Sequence, residues 1–262
     1  MKHTTEETAP EISISVVSHA QIHLIKHLLQ DIHQYCGKSF IEIILTLNLN
    51  EHVPFITESF SFPVKIIRNP HPLGFATNHN QAFANSSGHF FCVMNPDIRL
   101  NGNPFSTLLE CLKNSSIALA APLVLGPNGE IEDSARRFPT PLKILCKAVG
   151  GCKGNDYPIN IDQVFPDWVG GMFMLFPRSI YKLSGGFNEQ YFLYYEDVDL
   201  CARLKLKGYK IALCPKARVI HFAHRSSRHN FRYLKWHLTS MMRFFSSPVF
   251  IKIFWLSLKK DK

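Results

Sequence analysis

Residues 89–97 read His89-Phe90-Phe91-Cys92-Val93-Met94-Asn95-Pro96-Asp97, an apolar run of strand length closed by an Asn-Pro-Asp turn. A continuous apolar run suits a strand buried on both faces of a sheet. In open α/β folds ligands bind in the crevice beyond the carboxyl ends of such strands, which is where Asp97 falls. One hard carboxylate with open positions suits Mg2+ or Mn2+, which keep waters and share substrate phosphates. An Asn-Pro-Asp turn also occurs in proteins of every kind, so the tripeptide alone does not identify a site.

The flanking sequence alternates in the same manner. Upstream, Ile12–Val17, Ile41–Leu47 and Val64–Ile67 read as strands, Gln21–Tyr35 as an amphipathic helix, and Thr77–Ala84 as a helix after the Gly74 turn. Downstream, Pro104–Asn114 reads as a helix and Ile117–Pro122 as a strand. This order predicts a mostly parallel sheet flanked by helices, with its strand ends facing one crevice. Arg68-Asn69 and Leu73-Gly74-Phe75 lead into the helix that carries Asn78 and Asn80. A glycine turn before a helix N-terminus can aim backbone N–H groups and amides at phosphate or sugar hydroxyls. Residues 126–167, dotted with Pro and Gly and containing Arg136-Arg137, read as a long and partly mobile excursion. Order resumes at Trp168–Phe176, and Tyr209–Leu213 with Ala217–His221 read as a closing pair of strands.

Composition narrows the function. At 262 residues and 46% hydrophobic content, the chain is one large domain or a domain with an appendage. Residues 1–11 are polar, with Glu6, Glu7 and Glu11, unlike a signal peptide. Seven cysteines without CxxC pairs fit a reducing cytoplasm rather than a disulfide framework. The net charge of +9 sits in the tail, where nine lysines and arginines from Arg225 onward stand against Asp261 alone. A near-neutral body argues against nucleic acid as the partner. Residues 229–258 mix those basic residues with Trp236, Phe244, Phe254 and Trp255. Such a segment suits an anionic membrane surface, or else packs on the domain with its charges solvated. Pro248 and Lys252 argue against a true span.

The second informative stretch is Gly185-Gly186-Phe187-Asn188-Glu189, then Tyr194-Tyr195-Glu196-Asp197-Val198-Asp199-Leu200. Three carboxylates fall within four residues, at the lip of a predicted helix Leu200–Lys207. Each raises its neighbour's pKa. Either Asp197 or Asp199 caps that helix, or the group binds a cation or moves a proton.

The order of these pieces, with Trp-Val-Gly-Gly at 168–171 and Ala-Arg-Val-Ile-His at 217–221, closely resembles the family-2 inverting glycosyltransferases of GT-A fold. The resemblance runs over residues 12–224 and is nearest the rhamnosyltransferase-like branch that builds bacterial surface polysaccharides. It implies a GT-A domain over 12–228, a polar extension at 1–11 and a basic aromatic tail at 229–262. It further implies that Asp97 holds the metal bridging the donor diphosphate, completed by His221. Asp197 is then the catalytic base and Glu196 orients the base or the acceptor, while Asp199 caps the helix. A packed strand-end histidine is the other reading of His221. Asn95 would contact the donor's sugar or ribose. The same resemblance places Ser18, Asn48, Arg68, Asn69, Gly74, Asn80 and Arg225 on the donor side, with His224 and Ser226 close by. Trp168, Gly170 and Gly171 lie beneath the acceptor, with Trp168 either stacking on a sugar or packing in the core.

The implied reaction moves a sugar such as rhamnose from a dTDP- or UDP-linked donor to a lipid-linked oligosaccharide, in O-antigen or other surface polysaccharide assembly. The enzyme would then sit at the inner face of the cell membrane, held peripherally by its tail. Two departures stand out. The first strand ends in Ser18-His19-Ala20 rather than a Thr-Tyr-Asn-like triplet, and Leu47-Asn48 replaces the Asp-Asn pair whose Asp contacts the base. Leu47 therefore leaves open a catalytically silent scaffold that kept the fold. A Rossmann dehydrogenase is excluded, because no glycine follows the first strand between Ser18 and Ile22.

Overall fold

The computed structural model describes residues 10–37, 40–148, 156–158, 163–222 and 231–260. Strand β1 (Ile12–Ser18) alternates Ile and Ser yet is buried on both faces. Its serines are accommodated because each is bonded. Ser13 Oγ donates to Glu42 Oε1 at 2.6 Å, and Ser15 Oγ lies 2.7 Å from His79 Nδ1. Helix α1 (Ile22–Cys36) covers one face with Ile25, Leu28, Leu29 and Ile32, the spacing of an apolar helical stripe. Strands β2 (Ile41–Leu47) and β3 (Val64–Arg68) extend the sheet on the far side of β1. Helix α2 (Phe75–Ala84) starts beside a close backbone contact. A Cβ on Gly74 would fall 2.6 Å from Phe192 O, which accepts from Phe75 N–H at 2.9 Å.

Strand β4 (Phe90–Met94) is the apolar run before Asn-Pro-Asp. The two-residue β5 (Ile98–Arg99), helix α3 (Phe105–Leu112) and β6 (Ile117–Leu125) follow. Arg99 grips Asp31 of α1 bidentately, at 2.5 and 2.9 Å, fixing the segment just after Asp97. The stretch expected to be an excursion holds β7 (Ala135–Arg136) and α4 (Pro141–Ala148), and β7 pairs with β8 (Trp168–Val169). Then come β9 (Phe173–Pro177), α5 (Arg178–Ser184), α6 (Glu196–Leu206) and β10 (Lys210–His221). The large sheet runs β3-β2-β1-β4-β9-β6-β10-β5. Its β1–β2, β1–β4, β2–β3 and β6–β10 ladders are parallel, while β9 and β5 pair antiparallel to their neighbours.

Three expectations change here. The closing strands are one strand, β10, whose register against β6 shifts between Cys214 and Arg218, where Pro215 cannot donate to a ladder. Helix α6 begins at Glu196 rather than Leu200, so the acids lie in its first turn. Asp199 is not its cap: that position is Tyr195, and Asp199 is buried against Arg203 at 2.7 Å. Cys146 is disulfide-bonded, whereas Cys36, Cys92, Cys111, Cys201 and Cys214 are free.

The tail forms α7 (Phe231–Phe245) and α8 (Pro248–Lys260). Phe244 and Ile253 pack with Tyr191, Tyr195, Val198 and Ala202, so both helices cover α6. No helix among the described residues is long and apolar enough to cross a membrane.

Arg203 is the fastener of this half. Besides Asp199, its guanidinium donates to the carbonyls of Ser184 and Gly186, holding the α5–α6 turn. Arg203→Ala should lower unfolding free energy in urea by about 3–5 kcal/mol, because it leaves the buried Asp199 carboxylate alone. Asp199→Asn added to Arg203→Ala should recover part of that loss by removing the orphaned charge.

Candidate active site

Asp97 and His221 meet through strand register. β5 pairs with the end of β10, Ile98 opposite His221, and Phe222 N–H donates to Asp97 C=O at 3.0 Å. His221 Nε2 lies 3.3 Å from Asp97 Oδ1, a buried oxygen that makes no aligned hydrogen bond. The other ring nitrogen, Nδ1, lies 2.8 Å from Glu132 Oε2. Burial alone would hold the His221 pKa down, but the Asp97 and Glu132 carboxylates outweigh it and raise it. Glu132 was not foreseen. It lies in the Gly- and Pro-rich stretch after β6, where a carboxylate reads as solvated, and only the fold brings it to a histidine 89 residues away.

The second acidic centre is assembled by β9 and α6. Asn95 N–H donates to Met172 C=O at 2.9 Å, which sets the Gly170-Gly171 loop beside the end of β4. Gly171 N–H donates to Asp197 Oδ2 at 3.0 Å, and Val198 N–H donates to Oδ1 at 2.8 Å. A Cβ on Gly171 would fall 3.2 Å from the Phe75 ring, so a larger residue there would push the ring aside by a few tenths of an ångström. Glu196, 4% exposed, has one carboxyl oxygen without a partner. Burial pushes its pKa well above the carboxylate range, and the Asp197 charge adds to this. Burial also raises Asp197, but its two backbone donors and Arg136 hold it down in part. Glu196 is therefore the harder of the two to ionise and Asp197 the easier.

Two cavities flank these groups. One, of about 590 Å3, is lined by Asn48, Asn78, Asn95 and Asp97 among others; the second, of about 770 Å3, is lined by Trp168, Gly170, Gly171, Glu196 and Asp197 among others. Phe75, Asn95, Leu193, Tyr194 and Tyr233 line both, so the cavities share a wall. Trp168 is held by its Nε1–H, which donates to Arg137 C=O at 3.1 Å, and the Arg136 guanidinium lies 5.3 Å over its ring.

Of the residues expected on the donor side, Asn48 and Asn95 line the smaller cavity. Ser18, Arg68, Asn69, Gly74 and Asn80 line neither and act as framework. Ser18 donates to Glu51 Oε2 at 2.8 Å, and Arg68 to Glu51 C=O at 3.1 Å. Asn69 donates to Asn48 Oδ1 and Asn78 Oδ1 at 2.8 and 2.6 Å. Asn80 donates to Phe187 C=O at 2.9 Å and accepts from Tyr181 O–H at 2.8 Å. Leu47 is buried in the core, away from both cavities. His19, Gln21 and His23 line the smaller cavity instead. His224, Arg225 and Ser226 lie outside the described residues. No group of three or more His, Cys, Asp or Glu side chains disposed to hold a metal occurs among the described residues.

This geometry agrees with what the chain is similar to. Residues 13–173 match the model "Glycosyl transferase family 2", and residues 164–241 match "Glycosyltransferase like family 2". The chain belongs to glycosyltransferase family 2 and is a glycosyltransferase of GT-A fold, rhamnosyltransferase-like. It is 30% identical over 184 residues to Rhamnosyltransferase WbbL of Escherichia coli K12, covering 65% of this chain and 69% of that protein. It is 33% identical over 147 residues to the N-acetylglucosaminyl-diphospho-decaprenol L-rhamnosyltransferase of Mycobacterium tuberculosis, covering 52% of this chain and 48% of that protein. The mannosyltransferase PcManGT of Pyrobaculum calidifontis, solved with GDP-Man and Mn2+, superposes with a TM-score of 0.61 at 13% identity. That match covers 92% of this chain and 67% of PcManGT.

Because folding raises the Glu196 pKa, the folded chain holds that proton more tightly than the unfolded chain. The associated stability is complete below the ordinary carboxylate range and is lost as pH rises through the raised value. Glu196→Gln removes the titration, so it should melt above wild type at pH 8, with a gap that narrows toward pH 4. Melting curves across that range test this, and a gap independent of pH would return Glu196 to ordinary behaviour.

Proposed function

We propose that this glycosyltransferase moves a deoxyhexose such as rhamnose from a dTDP- or UDP-linked donor to a hydroxyl of a lipid-linked glycan, with inversion. The observation that carries the reading is the shared wall at Asn95, with Asp97 in one cavity and Asp197 in the other. The smaller cavity takes the nucleotide-sugar and the larger takes the acceptor. Both named relatives are rhamnosyltransferases, and one carries a diphospho-decaprenol in its name.

Asp197 accepts the proton of the acceptor hydroxyl, held in place by the Gly171 and Val198 N–H groups. Burial makes Glu196 harder to ionise than Asp197, so the charge of the pair falls first on Asp197. The deprotonated oxygen attacks the anomeric carbon where the two cavities adjoin and breaks its bond to the nucleoside diphosphate, which leaves from the opposite face, so the configuration inverts. Asp97 and His221 suit a divalent cation: the Asp97 oxygen is buried without a hydrogen bond, and Glu132 orients the ring whose Nε2 faces it. Asp97 and His221 would hold Mg2+ or Mn2+, which would supply charge neutralisation for the departing diphosphate. His19, Gln21 and His23 join Asn48 and Asn78 along the smaller cavity and offer the nucleotide polar contacts that Leu47, buried in the core, does not. The exposed apolar face of the tail, with Phe231 90% exposed, seats the enzyme peripherally on the inner membrane surface.

Asp197→Asn should lower kcat by about 10^2–10^4-fold while leaving melting temperature and nucleotide binding near wild type. One nucleotide among dTDP, UDP, GDP and CDP should stabilise the protein by about 2–3 kcal/mol at 100 times its Kd, only with Mn2+ or Mg2+. No stabilisation by any of them would favour the scaffold.

A further inference from the structure

The larger cavity is lined by cations besides Arg136, whose charge already acts on Asp197. Arg136, Arg137 and Lys143 come from β7, the segment after it and α4. Two of them are neutralised locally. Arg136 pairs with Asp133 at 3.0 Å, and Lys143 pairs with Asp156 at 2.5 Å. Arg137 differs. Its backbone N–H donates to the same Asp156 carboxylate at 2.9 Å, but its guanidinium makes no ion pair among the described residues. Its guanidinium carbon lies 5.8 Å from the Tyr157 ring centroid, within cation–π reach. The backbone bond and the ring together hold one unneutralised fork at the wall of the cavity. A planar fork of that kind matches phosphate oxygens.

The neighbouring helix indicates what the phosphate is attached to. α4 turns Ile144 into the cavity while Leu142 and Leu145 stand 77% and 61% exposed. α7 also contributes Tyr233 and Leu234 to the cavity and exposes Phe231 and Leu238. Cations lining a cavity whose two bordering helices expose apolar side chains fit a molecule with a phosphate head and a hydrocarbon chain. We propose that Arg137, supported by Arg136 and Lys143, binds the diphosphate of a prenyl-diphosphate-linked acceptor, whose chain leaves between α4 and α7. The proposal rests on assigning the larger cavity to the acceptor, and it adds the residue that recognises the carrier rather than the sugar.

The test needs no sugar transfer, so its failure is separable from failure of that assignment. Geranyl diphosphate is titrated into the full chain saturated with Mn2+, with binding followed by tryptophan fluorescence. Geraniol, inorganic pyrophosphate and geranyl monophosphate are titrated in parallel. Wild type should bind geranyl diphosphate, and Arg137→Gln should weaken it roughly tenfold or more while melting as wild type does. Arg137→Lys should retain part of the affinity. Asp97→Asn, on the donor side, should leave it unchanged, and geraniol should bind no better to wild type than to Arg137→Gln. Pyrophosphate should bind Arg137→Gln as it binds wild type if it occupies only the donor side. The proposal is overturned if Arg137→Gln binds geranyl diphosphate as wild type does, if wild type does not bind it, or if Asp97→Asn rather than Arg137→Gln abolishes binding.

Discussion

Much of this structure follows from placing two adjacent carboxylates, Glu196 buried and Asp197 half-buried at a cavity, at the start of one helix. Glu196 and Asp197 open α6, and the two residues before them, Tyr194 and Tyr195, take left-handed conformations at φ 70° and 67°. For non-glycine residues each such conformation costs about 1–3 kcal/mol and persists only where the surroundings over-determine it. Here they do. Arg203 ties α6 to the Gly185-Gly186 turn, and Tyr195 is packed against Phe244 and His237. Gly171 presents its N–H from the opposite side. The helix start also favours negative charge, which helps Asp197 ionise where burial opposes it.

The sheet sets the distance between this pair and Asp97. Antiparallel β9 lies beside β4 with Phe173 opposite Met94, so the loop before β9 and the turn after β4 emerge together. Asn95 and Gly171 are therefore neighbours by register, one lining both cavities and the other bonded to Asp197. Inserting β9 into an otherwise parallel half-sheet has a chemical consequence: a second set of backbone donors reaches the crevice at the strand ends. A sheet parallel throughout would have brought helix N-termini there instead.

The local parts of this arrangement were legible in the sequence. Apolar runs at Ile12–Val17 and His89–Met94 mark the central strands, and Asp97, Glu196, Asp197 and His221 stood out as acids and a histidine at element ends. What stayed hidden depended on contacts distant in the chain. Asn80 beside a glycine turn looks like a ligand for phosphate, but its amide joins Phe187, 107 residues away. Glu132 sits in sequence typical of a loop, and nothing near it predicts a histidine partner. Asp199 three residues into an acidic cluster reads as a cap, whereas Arg203 one turn later takes it as an ion pair. Arg136-Arg137 was visible as a charge pair, but its place at a cavity wall required β7 to find β8.

The tail is part of the architecture of the site. α7 buries Ser240 and Phe244 against the core, yet Tyr233 lines both cavities and Trp236 stacks on Phe192 at 4.7 Å. Phe192 in turn sits at the carbonyl that receives Phe75 N–H, the start of α2. The aromatic residues of the tail are thus continuous with the backbone contact that requires Gly74. A composition-based boundary near residue 228 marks a change in charge, not a change in structure. Removing everything beyond it would strip a wall from both cavities and expose Tyr195 and Val198, the residues that over-determine the strained start of α6. The hydrophobic cost of leaving Phe231 and Met242 exposed is tolerated on a helix that the site cannot do without, and a bilayer is the surface that would relieve it.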